Sequence, residues 1–390
     1  MKKILILGID GYLGWSVTKS LIAGDYIILG IDSGLRRKLV NEVGSDSLTP
    51  IQSLSDRVKE TRRENITVEQ VDICNTTKIF EIFERFSPDI VFNCAQQASA
   101  PYSMIGVNEA NFTLTNNEVG NMNVLWAIKQ FCRDALYVKL GSFGEYASTN
   151  IEVPEGYFAP EYKGKKSDTL IPFPRKSGDF YHASKSNDSN YLAVAADCWN
   201  LRIVELMQST IFGCRTSEID NEEKLLTRFD YDQYFGTVIN RFIVQALLGR
   251  PLTVYGKGTH RTGVMSLAQS VSEITSIFRT AEKYTAGHTV INNSPSVDFT
   301  VKELADLVSE CAKQCGINCV TQITLDQRGF DPRNESKISA AQRRIQTSNL
   351  VKVESKDDFA LYLAGEIKFL QQYISRCNKD TINPTLEWRK

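Results

Sequence analysis

In the first half of the chain, apolar positions fall in short unbroken runs. Between them lie stretches where apolar residues recur every three to four places. The runs at residues 4–7, 26–31, 67–71, 90–93, 136–140 and 201–206 read as strands, and the patterns near 12–23, 76–86, 116–133 and 180–199 as helices. A strand buried on both faces has no cause to alternate polar and apolar side chains. Unbroken runs alternating with helices therefore predict an α/β fold built on a parallel, doubly wound sheet. After residue 206 the alternation weakens: a helix near 236–249, a strand-like 251–255, a turn at Gly256 and Gly258, then helices near 267–283, 300–315 and 355–377. This divides the chain into a sheet domain, 1–206, and a smaller, mostly helical part, 207–390, interleaved with it. Two connections are longer than ordinary: 33–65, which carries Arg36, Arg37 and Lys38 and a polar helix near 52–64, and the irregular 143–179.

Charge narrows the partners. The 390 residues carry a net charge of -1 with 23% charged side chains, so no global field draws nucleic acid or an anionic membrane, and an anionic ligand must be held by local groups. No apolar run is long enough for a membrane span, and with a first strand beginning at Lys3 no leader peptide is expected. The nine cysteines are odd in number and mostly in apolar contexts, which reads as reduced thiols in a cytoplasmic protein. Cys311, Cys315 and Cys319 are spaced by four, but with only three histidines and no CxxC pair no metal site is expected.

Two motifs carry chemistry. Gly8, Gly11 and Gly14 follow the first strand directly and open a helix. Such a turn lets backbone N–H groups and the helix N-terminus approach a pyrophosphate, although an ordinary tight connection has the same look. Asp32 ends the second strand, where a carboxylate accepts hydrogen bonds from ribose hydroxyls and disfavours a 2′-phosphate; the expectation is NAD rather than NADP. Arg36 and Arg37 are either phosphate ligands or a solvated basic loop. Asp72 and Ile73 follow the third strand, where an adenine edge would lie.

Tyr181 and Lys185 are four residues apart and share one helix face. A neighbouring ammonium lowers a phenol's pKa, so Tyr181 is the expected base for a sugar hydroxyl while hydride leaves the same carbon, with Lys185 also touching the nicotinamide ribose. Ser142, at the end of the fifth strand, is a candidate hydrogen-bond partner of the same oxygen. Glu145, three residues on, is a candidate acid or base, or a loop carboxylate. His182 faces away from Tyr181 and reads equally as a second acid–base group or a packed histidine.

These residues resemble the extended short-chain dehydrogenases/reductases, the nucleotide-sugar epimerases and dehydratases built on a Rossmann sheet, and within them the UDP-sulfoquinovose synthase branch. The likeness runs over roughly residues 1–310. It includes the glycine turn, Ser99-Ala-Pro-Tyr-Ser-Met104, Gly141-Ser142, Gly144-Glu-Tyr146, Tyr181-His182, Ser184-Lys185, Asp230-Tyr-Asp232, Asn240-Arg-Phe242 and residues 251–258. The resemblance implies a resident NAD, with Asp10, Tyr12, Leu13, Ser33, Arg36 and Asn116 also beside it. It implies oxidation of UDP-glucose at C4 by Ser142, Tyr181 and Lys185. Glu145 and His182 then serve elimination across C5 and C6, sulfite adds at C6, and hydride returns to C4. It places Gln208 and Thr210 near the sugar, Asn240, Arg241, Thr253 and Tyr255 at the uridine diphosphate, and Arg261 with Arg328 or Arg333 as diphosphate ligands. It also implies a homodimer through the helices near 108–133 and 180–199. The chain departs from the family at Ala98, where an arginine is usual, at Gln96 for a glutamate, at Gln269 for an aspartate, and at Thr259-His-Arg261, where the arginine has moved by one place. Alternatives are a 4-epimerase or 4,6-dehydratase that does not use sulfite, and a non-catalytic NAD-binding protein.

Overall fold

A computed structural model describes residues 1–146, 151–219, 222–324, 345–383 and 385. Seven parallel strands form the central sheet: β1 Lys2–Leu7, β2 Tyr26–Asp32, β3 Ile66–Gln70, β4 Ile90–Asn93, β5 Leu136–Ser142, β6 Arg202–Gln208 and β7 Gly287–Asn292. Their order across the sheet is β7-β6-β5-β4-β1-β2-β3, with the reversal of winding between β1 and β4. The six runs read as strands are all present. β7 escapes the reading because only Val290 and Ile291 in it are strongly apolar. The helix Leu35–Glu42 lies inside the segment expected as a long connection.

Alternate residues of each strand serve opposite faces. Ile4 and Ile6 of β1 pack with Ile28, Phe92, Val138, Val204 and Val271 on one side; Leu5 and Leu7 pack with Leu29, Val91, Ile79 and Val124 on the other. Both faces are apolar, which is why the runs do not alternate. β7 and the helix Leu267–Arg279, both downstream of 206, belong to this domain, so the two parts are interleaved through the core. The second core, around Phe242, Leu304, Phe359 and Leu363, is helical but also carries two small sheets: Thr210–Phe212 with Arg261–Ser266 and Val297–Thr300, and Leu252–Tyr255 with Thr321–Thr324. No described helix is long and apolar enough to cross a membrane.

Register places the chemistry. Ser142 at the end of β5 lies beside Gln208 at the end of β6, so both emerge at the carboxyl edge, where doubly wound sheets bind ligands. On the sheet face that carries Val124 runs a helical segment, Val107–Leu114 then Gly120–Phe131, joined through the wide turn Thr115–Val119. The wide turn seats Asn117 inside: it accepts from Gln97 N (2.9 Å) and donates to Ser184 Oγ (2.9 Å), tying this segment to the Phe180–Trp199 helix.

Candidate active site

A cleft of ≈ 1240 Å³ opens along the carboxyl edge of the sheet. At one end the turn after β1 brings Gly8, Gly11 and Gly14 to its wall. Gly8 has φ +86°, and a Cβ on Gly14 would stand 2.1 Å from the Gly8 carbonyl oxygen, so only hydrogen fits there. The helix Tyr12–Leu21 that follows has no side-chain cap, leaving its first N–H groups for a ligand. Asp32 lines the same end, accepting from Asp10 N (2.9 Å) and Gly34 N (2.7 Å). Burial, then the neighbouring Asp10, push its carboxyl up to about 6. A bare helix N-terminus, glycines that a Cβ would block and a carboxylate at the second strand fit a dinucleotide. Tyr12, Leu13, Ser33, Arg36, Ile73 and Asn116 line this end as expected.

Two expected cofactor residues face elsewhere. The Asp10 carboxylate is gripped by Arg37 (2.5 and 2.9 Å) and by the fully buried Arg57, which stacks on Trp15. Arg37 thereby braces the turn and is not a solvated loop residue. Asp72 is exposed and caps its own turn through Cys74 N (2.8 Å).

At the reaction end, Ser142, Tyr181, His182 and Lys185 share the cleft wall. The Tyr181 phenol is raised, not lowered: burial dominates, followed by the charges of Glu145 and Asp179. Lys185 does not counter this. Its ammonium donates to the Leu140 carbonyl and lies 5.8 Å from the Tyr181 ring centre. Burial, then Lys139, lower Lys185 itself to about 7. Glu145 is fully buried and outside the cleft wall; it accepts from Ser142 N (2.7 Å), and burial and Glu205 push it up to about 7. It shapes the strand end that presents Ser142. His182 instead lies against Gly144, where a Cβ would come 2.1 Å from Nε2.

Gln208, beside Ser142 on the adjacent strand, and Thr210, Asn240 and Arg261 also line the cleft. Arg261 is paired with Asp298 (3.1 Å). Arg241, Thr253 and Tyr255 lie outside this lining: Arg241 Nη2 donates to the Thr253 carbonyl (3.0 Å) and its guanidinium stacks on Tyr255. Arg328 and Arg333 fall outside the described residues. Sequence reasoning missed Arg228, which lines the cleft and shares Asp230 with Arg36 (2.8 and 3.0 Å). Its signal was its place two residues before Asp230 in the 230–232 block. It also missed Ile345 and Thr347, brought to the cleft by pairing of Val153 with Ile345.

Residues 4–265 match the family described as the NAD dependent epimerase/dehydratase family. The chain is 35% identical, over 100% of its length and 80% of the relative, to a chloroplastic UDP-sulfoquinovose synthase of Spinacia oleracea. It is 37% identical, over 81% of its length and 80% of the relative, to a UDP-sulfoquinovose synthase of Sulfolobus acidocaldarius. Its fold is similar to that of a UDP-glucose 4-epimerase of Thermotoga maritima solved with UDP-glucose: TM-score 0.65, 18% identity, covering 96% of this chain and 99% of that one.

Proposed function

The chain belongs to the NAD-dependent epimerase/dehydratase family, and from that premise we propose that it converts UDP-glucose through a 4-keto intermediate, as a UDP-sulfoquinovose synthase. The observation that carries this is the joint lining of one cleft by the glycine turn, Asp32, Ser142, Tyr181 and Lys185, together with the two synthases at 35% and 37% identity. Bound NAD supplies the hydride acceptor and donor. Tyr181 takes and returns the C4 hydroxyl proton, Ser142 holds the same oxygen, and Lys185, anchored on the Leu140 carbonyl, orients the ribose. His182 moves the protons of the C5/C6 steps, and Glu145 positions Ser142. Gln208, Thr210, Asn240, Arg228 and Arg261 hold the nucleotide sugar.

One observation favours a second reading, a 4-epimerase or 4,6-dehydratase without sulfite. Among the described residues, each arginine of the cleft wall is already paired: Arg36 and Arg228 on Asp230, Arg261 on Asp298. Among the described residues of the cleft wall, no arginine without an acidic partner stands ready for an anionic nucleophile. Product analysis after incubation with UDP-glucose, with and without sulfite, separates the two. A sulfonated sugar nucleotide that forms only with sulfite supports the synthase; the same keto or epimerised product in both arms supports the second reading. Tyr181→Phe should abolish turnover while NAD stays bound; surviving turnover removes the tyrosine from the mechanism.

The same reading places the enzyme in the cytoplasm as a homodimer. Val107, Val119, Trp126, Phe180 and Val194 expose apolar side chains on the two helices expected at the interface. Light scattering should give twice the 43.9 kDa chain mass.

A further inference from the structure

We infer that Asp179 is a positioning residue that holds His182 protonated on Nδ1 and so turns the Nε2 lone pair into the cleft as the base for C5; the chemical half of this rests on the reading above. Asp179 precedes the Phe180–Trp199 helix and caps it, Oδ1 accepting from His182 N at 2.9 Å. A cap needs only that oxygen. The second, Oδ2, lies 2.7 Å from His182 Nδ1, with the Asp179 side chain 6% exposed. An ionised carboxylate only accepts, so the ring nitrogen facing it is the one that carries hydrogen. That leaves Nε2 as an acceptor, beside Gly144, whose missing Cβ makes the room. His182 and Gly144 both line the cleft, next to Ser142.

The consequence is a division of labour along one helix. Tyr181 serves the C4 oxygen and His182 serves C5. Once C4 is a ketone, Nε2 takes the C5 proton and the C5–H electron pair becomes the double bond of the enolate. The imidazolium so formed is balanced by Asp179. It then gives that proton to the C6 hydroxyl, which leaves with its bonding pair as water.

Asp179→Asn is the sharp test. The amide oxygen still caps the helix, but its NH₂ now faces Nδ1 and imposes the opposite tautomer. In ¹⁵N NMR of the NAD-bound protein, with the His182 signals assigned by their loss in His182→Gln, the wild type should show Nδ1–H and the variant Nε2–H. With UDP-glucose in D₂O, deuterium entry at C5 should fall at least about 100-fold. C4 oxidation, followed by reduced-cofactor absorbance in a single turnover, should not change. Asp179→Ser, which keeps the cap and offers no partner to the ring, should slow C5 exchange alone, and covers the case of a poorly folding amide variant. A wild type protonated on Nε2, an unchanged tautomer in Asp179→Asn, or equal losses in both steps overturn the proposal. A wild type that shows the Nδ1–H tautomer and the reversal in Asp179→Asn, but never exchanges C5, supports the positioning role and refutes the C5 chemistry instead.

Discussion

The two ends of the cleft rest on different foundations. Behind the glycine turn, β1 is apolar throughout its inner length, with Ile4, Leu5, Ile6 and Leu7 fully buried. Behind Tyr181 and Lys185 the sheet is ionic: Lys139 on β5 pairs with Asp188 at 2.7 Å, each 1% exposed, and Asp188 also accepts from Gln96 (2.7 Å) and Asn121 (2.8 Å). Glu205 on β6 accepts from Ser189 (2.5 Å) and meets His288 (3.2 Å). A cofactor that stays bound needs shape, which close apolar packing of β1 supplies together with the Asp10–Arg37–Arg57 cluster that braces the turn above it. A proton-transfer centre needs a preset field, which fixed buried charges supply at the risk of large penalties when one is lost.

The comparison breaks first at Asp188. Asp188→Ala strands the Lys139 ammonium and two amide donors, and should cost about 3–5 kcal/mol in denaturant melts. Replacing both ions at once, Lys139→Met with Asp188→Leu, should recover the part of that loss due to the stranded ammonium, leaving the two amides unpaired, and should alter the pH dependence of the Lys185-dependent step, because Lys139 is among the charges that lower Lys185. At the packed end, Gly14→Ala drives a methyl into the Gly8 carbonyl; about 1–3 kcal/mol of stability and measurable NAD affinity should be lost together, read by melting and calorimetry.

Protonation sharpens the contrast more gently. The Asp32 carboxyl sits at about 6, above its ordinary value near 4. Between those values the native state holds more protons than the unfolded one, so this group's contribution to stability declines as pH rises through the window. NAD binding runs the other way, because the ribose hydroxyls need the ionised form. Calorimetry should show affinity about 10-fold weaker at pH 5 than at pH 8. The smallest effect belongs to the partly exposed Arg261–Asp298 pair: Arg261→Gln should change stability by no more than about 1 kcal/mol.

The glycine turn, Asp32, Ser142 and the Tyr181–Lys185 pair were legible because each is specified within a few residues of the strand or helix that presents it. Glu145 was equally visible, yet its role was not: spacing could not show that its carboxylate turns inward onto Ser142 N. The lowering of Tyr181 failed for a related reason, since helical spacing brings Lys185 near but does not reveal that its ammonium is held by Leu140. The rest of the cleft lining was least legible. Gln208, Arg228, Asn240, Arg261 and Thr347 come from segments spread over about 140 residues, and the one mark of Arg228, its nearness to Asp230, does not by itself separate a cleft arginine from a surface one.

By itself the sequence determined the parallel sheet, through apolar runs buried on both faces, and the cofactor turn, through glycines whose missing Cβ is a local requirement. The tertiary structure alone decided which charges meet. Whether Asp10 faces the cofactor or two arginines, whether Glu145 faces substrate or Ser142, and that His182 meets both Asp179 and Gly144 depend on groups tens of residues apart or on side-chain direction. Electrostatics in a buried cleft is set by distance in space, which spacing along the chain does not encode.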